Sequence, residues 1–282
     1  MLRYLIGVLV IIFGVLFWMY FWVGVPSVVP NGMPEPSTLH FYGDPGHTLS
    51  DIVVYAVYFV PENKKALIAE NWRGLLETNL AKLRAFHSLQ FGERSQIQYS
   101  IYPDPIIGMS ENVTYDMDDT TNGNSRALIT VSQELEKRIF DSGGDRFRSD
   151  FAERPSNAHP VLMVLYEGVG ASGGMIYNSE FESAAEIAKE HGLQESTVFV
   201  VNVASVDGFF LLNREFLSGR YGPFGASLLA HEFYHTLGVP DQYAVPNGAP
   251  LSPDIMGSGR FVPIEKTYIG RDLLRNLGLY GS

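Results

Sequence analysis

The sequence predicts an α/β protein, a mixed sheet layered with helices and preceded by one N-terminal transmembrane helix. Three observations carry this expectation. From Asp51 onward, short β-branched and aromatic runs alternate with longer stretches of helical periodicity, the pattern of a sheet covered by helices. Ahead of them stands an uncharged run from Tyr4 to Val25. Between the two lies "PSVVPNGMPEPS", Pro26 to Ser37, with four prolines.

The N-terminal run comes first. No charged residue falls between Arg3 and Glu35. At 1.5 Å per residue, residues 4–25 reach about 33 Å, enough to cross a hydrocarbon core of about 30 Å. Trp18, Tyr20 and Trp22 crowd the far end, where amphipathic rings suit the headgroup level. A cleaved signal peptide would have a shorter apolar core, about 7–15 residues, and a small-x-small cleavage site. "YFWVGVPS" lacks that spacing, so residues 1–25 are expected to remain as a signal anchor in the lipid bilayer. Arg3 and the amino terminus are the nearby positive charges, which places the N-terminus in the cytoplasm and the remainder outside, extracellular or periplasmic. Residues 26–38, rich in proline, are expected to form a semi-rigid stalk. Residues 39–282 then form the outer domain.

Within that domain, "DIVVYAVYFVP" (Asp51 to Pro61) is expected to be a strand that stops at the proline. In the following "KALIAENWRGLLETNLAKLRAF", Leu67, Leu75, Leu76, Leu80 and Leu83 recur at roughly helical spacing. "SQIQYSIYP" alternates in period two, a second strand. "ALITVSQELEKRIF" is expected to be a helix, "PVLMVLYEG" (Pro160 to Gly168) a buried strand, "SEFESAAEIAKEHG" a helix closed by Gly192, and "STVFVVNVASV" (Ser196 to Val206) another buried strand. The glycine-rich "GVGASGGMIYN" (Gly168 to Asn178) lacks the layout of a dinucleotide loop. It is expected to be a bulged edge strand beside a cleft or an ordinary surface loop.

Composition removes several function classes. A net charge of −11 with no long basic run argues against a nucleic-acid partner. The absence of cysteine excludes disulfides, thiol catalysis and a cysteine switch on a metal. "DMDDTTNGN" (Asp116 to Asn124) offers the carboxylates and amides of a calcium loop, yet it has no glutamate at the twelfth position of the EF-hand template. Ca2+ is therefore a minor expectation beside a plain acidic turn.

Chemistry concentrates in "AHEFYHTLGVPDQY", from Ala230. The preceding Gly222 and Pro223 and the later Gly238 bound a helix-compatible segment. On a helix His231 and His235 lie one turn apart on the same face, so both imidazoles can reach one ion. Glu232 is rotated by about 100° from His231, beside the ion but not among its ligands. Imidazole suits zinc, and zinc makes a water acidic enough to attack near neutral pH; Glu232 would take that proton as general base. Gly238 permits a sharp reversal, after which Asp241 can return as a third ligand. Asp254 and Glu265 compete for that place, Glu265 in the manner of enzymes that draw a ligand from a later helix.

"HEFYHTLGVPDQY" resembles the extended signature of metzincin-type zinc metallopeptidases, and with Asp as third ligand it is most similar to the snapalysin and immune inhibitor A-like branches. The resemblance spans residues 231–243. It implies a zincin-like fold with an active-site helix, an upper subdomain to about residue 238 and a smaller lower one over 239–282. A cleft would separate the two, with zinc beneath an edge strand that aligns the substrate. "SPDIMGSG" resembles the family's Met-turn, which would make Met256 the floor under the metal, and "PIEKTYIGRDLLRNLGLY" looks like the helix that follows. Many members carry a tyrosine two residues after that methionine; here the position is Ser258, so Tyr243 and Tyr268 become the candidates for supporting an oxyanion. The activity implied is a membrane-anchored zinc endopeptidase acting on protein or peptide substrates. The same site chemistry would serve a zinc amidase acting on cell-wall or other non-protein amides. An inactive surface scaffold is disfavoured by the intact His231, Glu232 and His235.

Overall fold

The computed structural model describes residues 48–116, 123–141, 146–177, 183–191, 195–200, 206–242 and 253–270. The expected anchor (1–25), the stalk (26–38), Tyr243 and residues 271–282 lie outside the described residues, as does most of the acidic stretch. Among the described residues, no helix is long and apolar enough to cross a membrane.

Seven described strands make one mixed sheet: β1 (Thr48–Val60), β2 (Gln96–Ile101), β3 (Ile106–Ile107), β4 (Ala158–Tyr166), β5 (Ala171–Tyr177), β6 (Val198–Val200) and β7 (Gly208–Asn213). Their order is β2-β1-β4-β7-β5-β6, with β3 beside the end of β1. β2, β1, β4 and β7 run parallel, while β5 is antiparallel to β7 and parallel to β6.

Helices cover both faces, which explains why β1 and β4 are apolar almost without interruption. Along β1, Ile52, Val54, Ala56, Tyr58 and Val60 face one apolar layer. Val53, Tyr55, Val57 and Phe59 face the other, the two-residue period of a strand expressed inside a wholly buried segment. The first layer is closed by α1 (Trp72–Phe91) and by α6 (Gly225–His235), which lies under β5 and β7 and beside α1. The second is closed by α3 (Ser125–Leu135), its π-helical extension Glu136–Asp141, and α4 (Arg146–Asp150). A single turn, α2 (Asn112–Tyr115), and α5 (Ala184–His191) complete the α-helices among the described residues.

Several boundaries differ from expectation. The helix expected from Lys65 begins at Trp72, because Glu62–Leu67 is a 3-10 turn that ends at Ile68, whose backbone (φ −54°, ψ 118°) is not helical. Leu67 is therefore 52 % exposed and outside the stripe. α5 starts at Ala184 instead of near Ser179, set by a reciprocal cap in which the Ser183 Oγ accepts from Glu186 N–H while the Glu186 carboxylate accepts from Ser183 N–H. The segment after Pro263 is not helical up to Gly270: Ile264–Lys266 is a 3-10 turn and Tyr268 pairs with Asp254 in extended geometry. β7, "GFFLLN", is an uninterrupted apolar run that periodicity alone does not assign to strand or helix.

The glycine-rich stretch forms β5: Ala171–Met175 pairs with β7, and β6 pairs with only its last three residues, so among the described strands Ala171–Gly174 has a partner on one side alone. Its glycines serve close approach. A Cβ at Gly174 would stand 2.4 Å from the Phe199 ring, and one at Gly173 would stand 2.2 Å from the Glu232 carbonyl of α6. A helix can lie that near a strand only where the strand has no side chain.

Candidate metal centre

α6 is buried at every position from Gly225 to His235 except Glu232, which is half-exposed. The helix ends through Gly238, which adopts the left-handed conformation with φ 78°. Gly238 N–H donates to the His235 carbonyl, and Leu237 and Val239 N–H both donate to the Tyr234 carbonyl. This reversal carries Asp241 back over the helix.

There it meets both imidazoles. His231 Nε2 and His235 Nε2 are 3.3 Å apart, and Asp241 Oδ1 is 3.2 Å from the first and 3.4 Å from the second. Tetrahedral ligands at about 2.0–2.1 Å from zinc are separated from one another by roughly 3.3–3.4 Å, so the triangle has the edge lengths of such a shell. Proton assignment supports the same reading. His231 Nδ1 lies 3.0 Å from the Ile255 carbonyl and His235 Nδ1 lies 2.7 Å from the Val239 carbonyl. A carbonyl accepts only, so in each neutral ring the proton sits on Nδ1 and Nε2 presents a lone pair. Three acceptors therefore converge, and the buried Asp241 Oδ1 has no hydrogen-bond donor from the rest of the protein. A cation fits what they surround. Among the described residues these three form the group able to hold a metal ion.

The electrostatics follow from the arrangement. Burial pushes the Asp241 carboxyl up, but without a cation between them the two imidazoles, when also protonated at Nε2, outweigh it and hold the group well below the usual carboxylate range. Burial disfavours a charged His235, yet Asp241 and Glu232 together raise its pKa. Glu232 is raised by burial and by Asp241, against the opposing pull of His231, His235 and Arg260. A carboxyl raised in this way is a stronger base than one in water.

The turn after Pro253 is tied to the site. Met256 is fully buried in the apolar layer shared with α6. Its carbonyl accepts from Gln242 N–H at 3.0 Å, tying the turn to the residue after Asp241. Ile255, which orients His231, is itself held by donation of its N–H to the Tyr268 carbonyl.

The competing carboxylates are placed elsewhere. Asp254 is buried and its carboxylate accepts from the N–H groups of Met256 and Gly270. Glu265 is exposed on the 3-10 turn Ile264–Lys266. Tyr268 engages this region through its backbone, and Tyr243 lies outside the described residues. Of the acidic stretch, Asp116 is described: its carboxylate accepts from Tyr166, Asn124 and Asn112, which gives it a structural role. Sequence reading did not find Arg260, whose charge reaches Glu232, or the Ile255 and Val239 carbonyls. No side-chain pattern marks a carbonyl, and an arginine 28 positions from a glutamate carries no local signal.

No protein-family model and no curated protein matches the sequence. Among solved structures, the chain is similar to metalloproteinase-II from Bacteroides fragilis, at a TM-score of 0.42 and 12 % identity. The similarity covers 91 % of this chain and 60 % of that one, so the chain spans about 60 % of that protein's length.

Proposed function

We propose that the chain is a zinc-dependent endopeptidase, anchored in the membrane by residues 4–25 with its catalytic domain outside the cytoplasm. The observation that carries the catalytic part is the convergence of His231 Nε2, His235 Nε2 and Asp241 Oδ1 within 3.2–3.4 Å, next to the half-exposed Glu232. The uncharged run before the proline-rich segment supports the anchor.

His231, His235 and Asp241 would hold the ion. Two neutral imidazoles and one carboxylate leave a divalent cation with net positive charge, so when bound it supplies Lewis acidity toward water and a scissile carbonyl. The protein supplies the rest. Glu232 accepts the proton of the attacking water and returns it to the leaving amine nitrogen. The Ile255 and Val239 carbonyls keep each imidazole in the tautomer that offers Nε2. Met256 closes the site from below and excludes water there.

The test combines metal analysis of the full chain purified in detergent with digestion of casein and a peptide library, alongside Glu232→Gln. Zinc near one equivalent and peptide cleavage lost in the variant is the expected result. Zinc without peptide cleavage, but with cleavage of peptidoglycan fragments, would reassign the chain as an amidase. Absence of bound metal would overturn the reading.

A further inference from the structure

α6 carries its two histidines on one side and Tyr234 on another, and Tyr234 is the next residue before the ligand His235. The Tyr234 backbone carbonyl accepts from Leu237 N–H at 3.0 Å and Val239 N–H at 3.2 Å. Val239 in turn offers its carbonyl to His235 Nδ1, and Asp241 follows two residues on. Whatever fixes Tyr234 therefore fixes the turn that presents two of the three ligand atoms.

The tyrosine is held by a buried line of hydrogen bonds whose proton order is determined. Ser95 Oγ–H donates to the Leu49 carbonyl on β1, so Ser95 Oγ accepts from His87 Nε2–H at 2.8 Å. His87 Nδ1 is then the lone-pair nitrogen, and it accepts from the Tyr234 hydroxyl at 3.1 Å. Tyr234, His87, Ser95 and Leu49 are all at most 2 % exposed. Rings complete the enclosure: His87 stacks on Phe91 at 4.3 Å between centroids, and Phe86 meets Tyr234 edge-on at 6.3 Å. Burial lowers the His87 pKa to about 3, so the imidazole stays neutral and this proton order persists at ordinary pH.

We propose that His87 is a positioning residue for the metal centre: the line Leu49–Ser95–His87–Tyr234 sets the rotation of α6 and the register of the turn that delivers His235 and Asp241. This rests on the metal-site reading above. Packing alone resists translation of a helix better than rotation about its axis, because rings can slide past one another. A hydroxyl tied to a fixed partner resists rotation. A turn of about 10° moves an imidazole tip by about 1 Å, beyond what a preorganised site tolerates.

The experiment measures Zn2+ affinity of the full chain in detergent by competition with a chromophoric chelator, with a thermal unfolding midpoint for each variant without metal. Tyr234→Phe removes only the hydroxyl, and His87→Leu breaks the line on α1, away from the ligands. Both are expected to weaken zinc binding by tenfold or more. His87→Gln offers an amide acceptor and an amide donor in place of the two ring nitrogens and should recover most of the affinity. Phe86→Leu, which loosens packing on Tyr234 without touching the line, should lower the midpoint and leave zinc affinity within about twofold. Tyr234→Phe binding zinc like the wild type would overturn the proposal. So would Phe86→Leu losing as much zinc affinity as Tyr234→Phe, since stability alone would then account for both. A wild-type chain that binds zinc but cleaves no peptide would sink the peptidase reading and leave this one intact.

Discussion

Gly173 of β5 lies so close to Glu232 of α6 that a Cβ on the glycine would stand 2.2 Å from the Glu232 carbonyl oxygen. Backbone meets backbone there, and neither side has a flexible end to give way. Gly173→Ala must therefore push α6 off the sheet, at a cost of about 1–3 kcal/mol in stability. Because the displaced turn of helix is the one between the two histidines, metal affinity should fall with it. Chemical denaturation and zinc competition on the same variant check both effects.

Glu232→Gln keeps size and polarity but cannot accept a proton. Hydrolysis should fall by about a hundredfold or more, while metal content stays that of the wild type. Paired rate and metal measurements decide it, and joint loss of metal and activity would contradict the role assigned to Glu232.

Three carboxylates competed for the third ligand position, and the structure separates them by what they touch. Asp241→Ala should weaken zinc binding about tenfold or more. Glu265→Ala, at an exposed position, should leave zinc stoichiometry unchanged. Asp254→Ala should instead lower stability by about 1–3 kcal/mol, since Met256 N–H loses its buried acceptor. Metal titration and unfolding curves on the three variants distinguish these outcomes.

His87 makes stability depend on acid. Its folded pKa, about 3, lies below the ordinary value of 6.5, so the unfolded chain binds the proton more tightly. The stability it contributes is complete above pH 6.5 and is lost as pH falls from there toward 3. Over that window the slope from this one group approaches about 1.4 kcal/mol per pH unit. His87→Gln has no titrating ring, and its stability profile without metal should be flatter by that amount between pH 6.5 and 3.

Topology is tested without the metal. If residues 4–25 span the membrane with Arg3 inside, protease added to intact cells digests the chain beyond Pro26 and leaves the amino terminus protected. A soluble mature chain beginning near Val25 to Ser27 would show cleavage instead of anchoring.

The sequence by itself determined whatever depends on neighbours a few positions apart. The α/β alternation, the long apolar strands, His231 and His235 one turn apart, and the reversal at Gly238 all follow from periods and backbone freedom that act locally. Tertiary structure decided the rest. Asp241, Asp254 and Glu265 are chemically alike as ligands, and only the fold spends Asp254 on Met256 and Gly270 and leaves Glu265 in solvent. Gly173 of β5 was legible as permissive backbone, but its purpose depends on a helix more than fifty residues later. The carbonyl of Ile255, the hydrogen bond from Ser95 to Leu49 and that from Tyr234 to His87 join segments separated by 24 to 147 positions. A hydrogen bond across such distances is set by how the sheet and its two helices pack, and no spacing along the chain encodes it.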